Sequence, residues 1–233
     1  QKGWSKKEIL ERAKSITGVY VPALHKEGET VTKAVVQDFE NSVYPERPLV
    51  PNVEAVHDRV TLELYRGCAS GCRFCQAGYY YRPIRERSPE KCADYGKKMV
   101  EATGYGEISM CSLSTGDYSG LQKLMDDLKP FVHDKHVTLA LPSLRLSSFN
   151  GEMAQESRRS SLTFAPEAGT QRLRNVINKN VTDEEIDNIG KAFEAGYDNV
   201  KLYFMLGLPT ETDEDIAGIA EICRRLRELY IKI

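Results

Sequence analysis

The sequence lacks any run of about 18 apolar residues, so no segment is predicted to cross a membrane. It also lacks a strong charge of one sign. The formal net charge is −2 over 233 residues, which disfavours a dedicated nucleic-acid-binding protein. The first five residues contain neither an initiator Met nor the apolar stretch of a signal peptide. This start predicts a fragment of a longer protein.

Cysteines are also few. The chain has six, too few for a disulfide-stabilised scaffold of this length. Three of them, Cys68, Cys72 and Cys75, fall close together, and with no export signal this crowding indicates a metal site in a reducing cytoplasm. The other three are predicted to pack in the core, because free cysteine behaves as a small apolar residue. They are Cys92, Cys111 and Cys223.

An alternation of strand and helix patterns begins near residue 57. Alternating strands and helices predict parallel pairing with right-handed crossovers, and the loops at the carboxyl ends of the strands then carry the chemistry. We therefore expect an α/β fold, a partial parallel (β/α)6 barrel resembling a TIM barrel, of which five units are visible. The predicted strands are 60–65, 107–112, 137–141, 161–165 and 199–206. The predicted helices are 89–103, 121–132, 151–158, one from 183 and one from 213.

The residues before this alternation form a different segment. A short helix at 6–15 is followed by β-type stretches at 18–23 and 30–38 and by a proline-rich connector at 44–51. We interpret residues 1–56 as a lead-in segment and residues 57–233 as the main domain, incomplete at its C-terminus.

The loop after the first predicted strand has the spacing CxxxCxxC. Three thiolates on one short loop can bind three irons of a cubane cluster and leave the fourth iron without a protein ligand. An open metal position is what a catalytic site needs. Gly67 and Gly71 allow the backbone to wrap closely around the cluster. Phe74 is placed to stack on an adenine or to shield the cluster from water.

A structural zinc site is the alternative for these cysteines. Tetrahedral zinc requires a fourth Cys or His at compact spacing. The nearest His before the loop is His57, across the strand, and the next Cys is Cys92, within a helix pattern. The spacing therefore favours the cluster.

The cysteine loop after the first strand of a parallel barrel resembles the signature of the radical S-adenosylmethionine (SAM) superfamily. The similarity extends to residues 81–90, 164–174, 176–179 and 203–212, which resemble the group with an N-terminal cobalamin-binding domain. In that group the cobalamin domain lies upstream of the lead-in, so it would precede Gln1. The resemblance implies a fold of the radical SAM type.

The resemblance also implies cofactors and a reaction. The free iron of a [4Fe–4S] cluster binds SAM, and an electron delivered through the cluster produces a 5′-deoxyadenosyl radical. An external donor of the flavodoxin or ferredoxin type would supply that electron. Methyl transfer dependent on cobalamin is a further implication, whereas the substrate is not implied.

Several residues are candidates for contacts with SAM, because they follow strands of the predicted barrel. Ser114, Thr115 and Asp117 follow the second strand, where related enzymes receive the amino group of SAM. Glu167 ends the fourth strand and is expected to bind the ribose or the amino group, with an ion pair to Arg172 or Arg174 as the structural alternative. The remaining candidates are Phe74, Arg145, Arg172 and Gly207.

Two further interpretations remain at this point. A methylthiotransferase-like modifier of tRNA or protein shares the cysteine loop, although such enzymes need a second cluster and an RNA-binding tail. A metal-stabilised binding module would not be an enzyme. The aromatic and basic run at 79–87 is compatible with stacking on bases, but the net charge makes a nucleic-acid partner unlikely.

Overall fold

The computed structural model describes residues 3–141, 162–194 and 196–233. The chain forms two compact units, Gln1–Ser42 and Val43–Ile233. The assignment of residues 1–56 to a lead-in and of residues 57–233 to the catalytic core stays a prediction.

The first unit contains one helix among its described residues. Helix α1 (Lys6–Lys14) begins at a capping box, in which Ser5 Oγ accepts the Glu8 N–H and the Glu8 carboxylate accepts the Ser5 N–H. The β-type stretches predicted at 18–23 and 30–38 are wrong, because neither forms a strand. Local β propensity does not make a strand without a partner to pair with.

The second unit has parallel strands. In its described part β1, β4 and β5 form a parallel sheet in that order, β6 and β7 form a parallel pair, and β2 pairs antiparallel with β3. The strands are β1 (Val60–Glu63), β2 (Tyr65–Arg66), β3 (Arg85–Glu86), β4 (Glu107–Cys111), β5 (Thr138–Ala140), β6 (Leu162–Glu167) and β7 (Val200–Phe204).

Helices follow the parallel strands, which confirms the predicted α/β class. The helices of this unit are α2 (Gln76–Tyr80), α3 (Pro89–Thr103), α4 (Leu121–Lys135), α5 (Gln171–Val176), α6 (Asp183–Asp187), α7 (Gly190–Glu194) and α8 (Asp213–Ile231). The helix predicted at 151–158 lies outside the described residues. Within the described ranges, no helix has the length and apolar character needed to cross a bilayer.

Helix α3 has the bounds that its end signals predict. Ser88 is the N-cap and its Oγ accepts the Lys91 N–H, while Pro89 occupies the first turn, where its missing N–H costs no hydrogen bond. Gly104 ends the helix with φ of 74°, a conformation that favours glycine. These local signals fix the helix that packs on the first sheet.

The first hydrophobic core lies between this sheet and helices α3 and α4. Leu62, Ile108 and Leu124 are fully buried in it. A Cβ at Gly96 of α3 would lie 3.6 Å from the side chains of Leu62 and Ile108, so the glycine lets the helix approach the strands closely. A second core packs β6 and β7 against α6 and α8.

The strands of the first sheet have one apolar and one polar face. Val60 and Leu62 are buried against the helices, whereas Thr61 is exposed and Glu63 is half-buried. Because side chains alternate along a strand, the polar residues lie on the face opposite the helices. The loops at the carboxyl ends of β1 and β4 border this polar face.

Candidate active site

The cysteine loop, Gly67 to Cys75, runs between β2 and α2. Cys68, Cys72 and Cys75 are half-buried thiols. Gly67 has φ of 100° and Gly71 has φ of 67°, both in the left-handed region that favours glycine. A Cβ at Gly67 would lie 3.0 Å from the carbonyl oxygen of Pro83. Glycine is therefore what allows this loop to fold tightly against the turn before β3.

Two of the sulfurs have local hydrogen-bond partners. Cys75 is the N-cap of α2, and its Sγ accepts the Gly78 N–H at 3.4 Å. The Cys68 thiol donates to Ser70 Oγ at 3.3 Å. Backbone N–H groups that donate to a thiolate stabilise its charge, and hydrogen bonds to sulfur tune the potential of a cluster. The loop thus offers one sulfur, that of Cys75, with a backbone donor already placed beside it.

The cysteines do not form a site for a single ion. Within the described part of the chain, no three His, Cys, Asp or Glu side chains converge as the ligands of one metal ion do. A cubane cluster requires a different arrangement of ligands, because each of its thiolates binds a separate iron. A set of three thiols on one glycine-containing loop, with no carboxylate or imidazole among them, fits an iron–sulfur cluster in its chemistry.

The loop after β4 holds a buried hydroxyl without a partner. Ser114 is 3% exposed, and its Oγ has no hydrogen-bond partner among the described residues. The Tyr65 hydroxyl donates to the Ser114 carbonyl, which ties the loop to β2. A buried polar atom without a partner is costly, and a ligand that supplies one removes that cost. This loop therefore fits a ligand carrying a hydrogen-bond donor.

The two other candidates in this loop differ in exposure. Thr115 is fully buried, and its hydroxyl shares a hydrogen bond of 3.1 Å with Ser112 Oγ. Asp117 is exposed at the end of a short 3-10 turn. Thr115 supports the shape of the loop, whereas Asp117 lies on the surface.

Glu167 lies at the end of β6 with an unusual backbone. Its φ is 69°, in the left-handed region, and the pairing with β7 shifts register between Phe164 and Glu167. Its carboxylate accepts a hydrogen bond from Lys179 Nζ at 3.2 Å, and both side chains are mostly buried. The partner of Glu167 is therefore Lys179, and neither Arg172 nor Arg174 makes the alternative ion pair with it.

Arg172 binds the start of α8. Its guanidinium donates to the carboxylate of Asp215 and, at 2.8 Å, to the carbonyl oxygen of Thr210. Thr170 Oγ1 donates to the same carboxylate. These hydrogen bonds, that of Arg172 first, hold the pKa of Asp215 well below its usual range. Arg172 thus fixes the loop that joins β7 to α8.

The last candidates are exposed or lie outside the described residues. Phe74 is 40% exposed between two of the cysteines. Gly207 has φ of 77°, its surroundings are open, and its N–H donates to Glu211 Oε2 at 2.7 Å. Arg145 lies outside the described residues.

The sequence analysis assigns no role to three residues beside the site, although two of them lie in the 176–179 stretch of the resemblance. Lys179 pairs with Glu167, while Asn178 and Arg73 make the hydrogen bonds that join the cysteine loop to the end of α5. Asn178 has φ of 53°, and Asn tolerates this conformation better than most residues. No local pattern gives the contacts of Asn178 and Arg73, since they join segments more than 100 residues apart.

The predicted burial of the other cysteines is partly wrong. Cys92 is fully buried in the first core, but Cys111 and Cys223 are exposed. Cys111 ends β4 on the polar face of the sheet. The stripe of α8 that is buried contains Ile222 and Leu226, so Cys223 faces outward.

Comparison with known proteins supports the family that the cysteine loop suggests. Residues 62–223 match the Radical SAM superfamily. An uncharacterised protein of Methanocaldococcus jannaschii is 31% identical over 227 residues, which are 97% of this chain and 50% of that protein. The chain therefore spans about half the length of the curated relative that it matches.

Solved structures show the same fold. The apo form of the cobalamin-dependent S-adenosylmethionine radical enzyme OxsB gives a TM-score of 0.64 at 16% identity, over 92% of this chain and 33% of its own. The radical S-adenosylmethionine methyltransferase TsrM from Kitasatospora setae, with cobalamin and a [4Fe–4S] cluster bound, gives 0.56 at 14% identity, over 72% of this chain and 34% of its own. These similarities confirm the predicted fold of the radical SAM type.

Proposed function

The chain belongs to the radical SAM superfamily, and we propose that it is the core of an enzyme that cleaves SAM reductively at a [4Fe–4S] cluster. The observation that carries this proposal is the CxxxCxxC loop, three half-buried thiols at the carboxyl end of the first parallel strand. Cys68, Cys72 and Cys75 would hold the cluster, which would supply the one electron needed to cleave the S–C5′ bond of SAM into methionine and a 5′-deoxyadenosyl radical that abstracts hydrogen from the substrate.

The protein contributes metal ligands and a fixed loop. Cys68, Cys72 and Cys75 bind three irons, so one iron keeps an open position. The N–H of Gly78 stabilises the negative charge on the Cys75 sulfur. Gly67 and Gly71 allow the left-handed backbone conformation that this tight loop requires.

The contacts with SAM come from the loops after the strands. Ser114 Oγ accepts a hydrogen bond from the ammonium group of SAM, since this buried hydroxyl lacks a partner of its own. Thr115 supports that loop from within, and Asp117 adds negative charge near the ammonium. Glu167 binds the ribose hydroxyls or the ammonium, and its left-handed backbone aims the carboxylate.

The remaining candidate residues are assigned to the binding position of the adenine of SAM. Phe74 lies exposed on the cysteine loop, where its ring can stack on a base. Gly207 leaves open space in the loop after β7. Arg172 acts on that loop by holding Asp215 and the Thr210 carbonyl, so its part is to position the loop. Arg145 stays a candidate from the sequence alone.

Cobalamin-dependent methyl transfer is the finer part of the proposal. Two observations support it: TsrM has cobalamin bound and OxsB is cobalamin-dependent, and the chain covers only about half of its curated relative. In this proposal a cobalamin-binding domain belongs to the full-length protein. A flavodoxin or a ferredoxin supplies the electron, and the reaction takes place in the cytoplasm, where thiols stay reduced.

Anaerobic reconstitution of the full-length protein with iron and sulfide tests the proposal. We expect about four irons per chain, and formation of 5′-deoxyadenosine from SAM when a chemical reductant is added. Cys72→Ala should abolish both, whereas Cys223→Ala, which removes an exposed thiol of α8, should change neither. A colourless protein that binds one zinc ion through the same cysteines would contradict the proposal and favour the binding module.

A further inference from the structure

The segment directly after α5 lies against the cysteine loop. The Arg73 N–H donates to the carbonyl oxygen of Ile177 at 2.9 Å, and Arg73 Nη1 donates to that of Val176 at 2.5 Å. Arg73 lies between Cys72 and Cys75. The cysteine loop is therefore hydrogen-bonded to the backbone at the end of α5, the helix that follows β6.

Asn178 adds two hydrogen bonds from its side chain. Its amide donates to the carbonyl oxygen of Gly71 at 2.9 Å and to that of Ser70 at 3.4 Å. These two carbonyls lie in the middle of the CxxxCxxC spacing, between Cys68 and Cys72. A Cβ at Gly71 would lie only 3.3 Å from Asn178 Nδ2, so the glycine allows this close approach.

Other side chains also bind carbonyls of the cysteine loop, but they differ in origin. The Tyr79 hydroxyl donates to Gly71 O at 3.1 Å, and Arg82 Nε donates to Cys68 O at 3.5 Å. Both come from the 14 residues that follow the loop, and both are exposed. Asn178 is half-buried and comes from 107 residues away, so it anchors the loop to a separate part of the fold.

The residue after Asn178 contacts the other candidate group. Lys179 Nζ donates to Glu167 Oε1 at 3.2 Å, and the Lys179 N–H donates to the carbonyl of Arg174 at 2.8 Å. Consecutive residues thus hold the middle of the cysteine loop and the carboxylate proposed to bind SAM. The segment 176–179 fixes these two groups relative to each other.

We infer that Asn178 is a positioning residue for the iron–sulfur cluster. Its amide holds the carbonyls between the first two cysteines, and this fixes a loop that contains two glycines in the left-handed region. A loop of this composition has high conformational freedom unless it is anchored. The inference rests on the proposed function, since it presupposes that the three cysteines bind a cluster.

The test compares three substitutions with a matched control in the full-length protein. Asn178→Ala removes the amide, Asn178→Gly removes it and keeps the left-handed backbone accessible, and Asn178→Asp keeps the size but cannot donate to a carbonyl. Asn175→Ala is the control, since Asn175 is exposed in the last turn of α5, just before Asn178, and its side chain accepts a hydrogen bond from Gln171 of the same helix. Each protein is reconstituted anaerobically, and the loss of the cluster absorbance to an iron chelator is timed.

We expect all three Asn178 variants to lose the cluster about tenfold faster than the wild type, as substitutions next to metal ligands do. Asn175→Ala should match the wild type. Thermal unfolding of the cluster-free proteins and the electron paramagnetic resonance of the reduced cluster complete the comparison. A merely structural role would lower the unfolding temperature but leave the resonance of any bound cluster unchanged, and that result would overturn the inference.

Two other outcomes also decide the matter. If Asn178→Asp or Asn178→Gly keeps the cluster as the wild type does, the amide donor is not needed and the inference is wrong. If the wild type itself binds no cluster while it remains folded, the proposed function fails, and that failure is visible before any variant is made. If the wild type binds a stable cluster and the Asn178 variants retain theirs equally long, only the inference about Asn178 is refuted and the proposed function stands.

Discussion

Lys179 donates a hydrogen bond to Glu167, a residue whose φ of 69° is rare for a side chain of its kind. The ammonium and the carboxylate are 3.2 Å apart, and their side chains are 21% and 15% exposed. Backbone strain of this sort persists only where the surrounding structure enforces it, and it clusters at ligand sites. The pair therefore presents a charged carboxylate at the carboxyl end of β6 that is fixed in direction.

The first prediction concerns this carboxylate. Glu167→Gln keeps the shape of the side chain but removes its charge, so we expect the dissociation constant of SAM to rise about tenfold, the worth of one charge-assisted hydrogen bond. Calorimetric titration of SAM into the reconstituted protein measures it. Glu101→Gln, on the exposed face of α3, is the control and should bind SAM as the wild type does.

Lys179→Met separates the charge of Glu167 from its orientation. The carboxylate remains, but its partner is lost, and we expect a smaller loss of SAM affinity than for Glu167→Gln. Because the pair is partly buried, the variant should also lose about 1 kcal/mol of unfolding free energy. Affinity equal to that of the wild type in both variants would show that the pair has no part in binding SAM.

The second prediction concerns the buried hydroxyl of Ser114. Since this oxygen has no partner among the described residues, Ser114→Ala removes an unsatisfied group. We expect the ligand-free protein to gain about 1 kcal/mol in denaturant unfolding. The same variant should bind SAM about fivefold more weakly, because one hydrogen bond to the ligand is lost.

Ser112→Ala provides the opposite case in the same loop. Ser112 Oγ is the hydrogen-bond partner of the fully buried Thr115 hydroxyl, so its removal leaves that hydroxyl without its partner. We expect this variant to be destabilised, where Ser114→Ala is stabilised. If both variants are destabilised alike, the Ser114 hydroxyl has a partner in the folded protein and does not await a ligand.

The sequence predicts the parts of the fold that depend on local signals. Helix α3 has its predicted bounds because Ser88 and Gly104 act on their own neighbours. The cysteine loop was found from spacing alone, and the place of Glu167 at a strand end follows from the strand pattern. Such features need no knowledge of distant segments.

Features set by tertiary contacts escaped prediction. Asn178 carries no local mark of its role, since the carbonyls that it binds lie more than 100 residues earlier. Cys111 and Cys223 are predicted to be buried, yet both are exposed. Which face of a strand or helix is covered depends on what packs there, and the pattern alone does not fix it.

The third prediction tests the contact that places the Glu167 loop on α8. Gly169 lies so close to this helix that a Cβ would come within 2.3 Å of the Asp215 carbonyl oxygen and 2.4 Å of the Ile219 nitrogen. Backbone atoms cannot yield as a flexible side chain does. Gly169→Ala should therefore cost about 3 kcal/mol in unfolding free energy, measured by denaturant titration.

Gly106→Ala is the matched control for this substitution. A Cβ at Gly106 meets no heavy atom within 4 Å, and its φ lies outside the left-handed region. We expect no loss of stability from it. Equal stability of the two variants would mean that the loop after β6 does not pack on α8 in this way.

The last prediction concerns pH. Hydrogen bonds from Arg172 and Thr170 lower the pKa of Asp215 in the folded protein. A lowered pKa means that the ionised carboxylate stabilises the fold at any pH above its unfolded value of about 3.9, and that this contribution disappears as the pH falls toward the folded value.

Asp215→Asn should thus lower the unfolding temperature at pH 7, and its difference from the wild type should shrink below about pH 4. Thermal unfolding of the cluster-free proteins from pH 7 down to about pH 2 measures it, with Glu101→Gln as the control whose difference from the wild type stays near zero throughout. A gap between Asp215→Asn and the wild type that is as wide in acid as at pH 7 would show that the charge of Asp215 does not hold the start of α8, and Arg172 would then be available to a ligand.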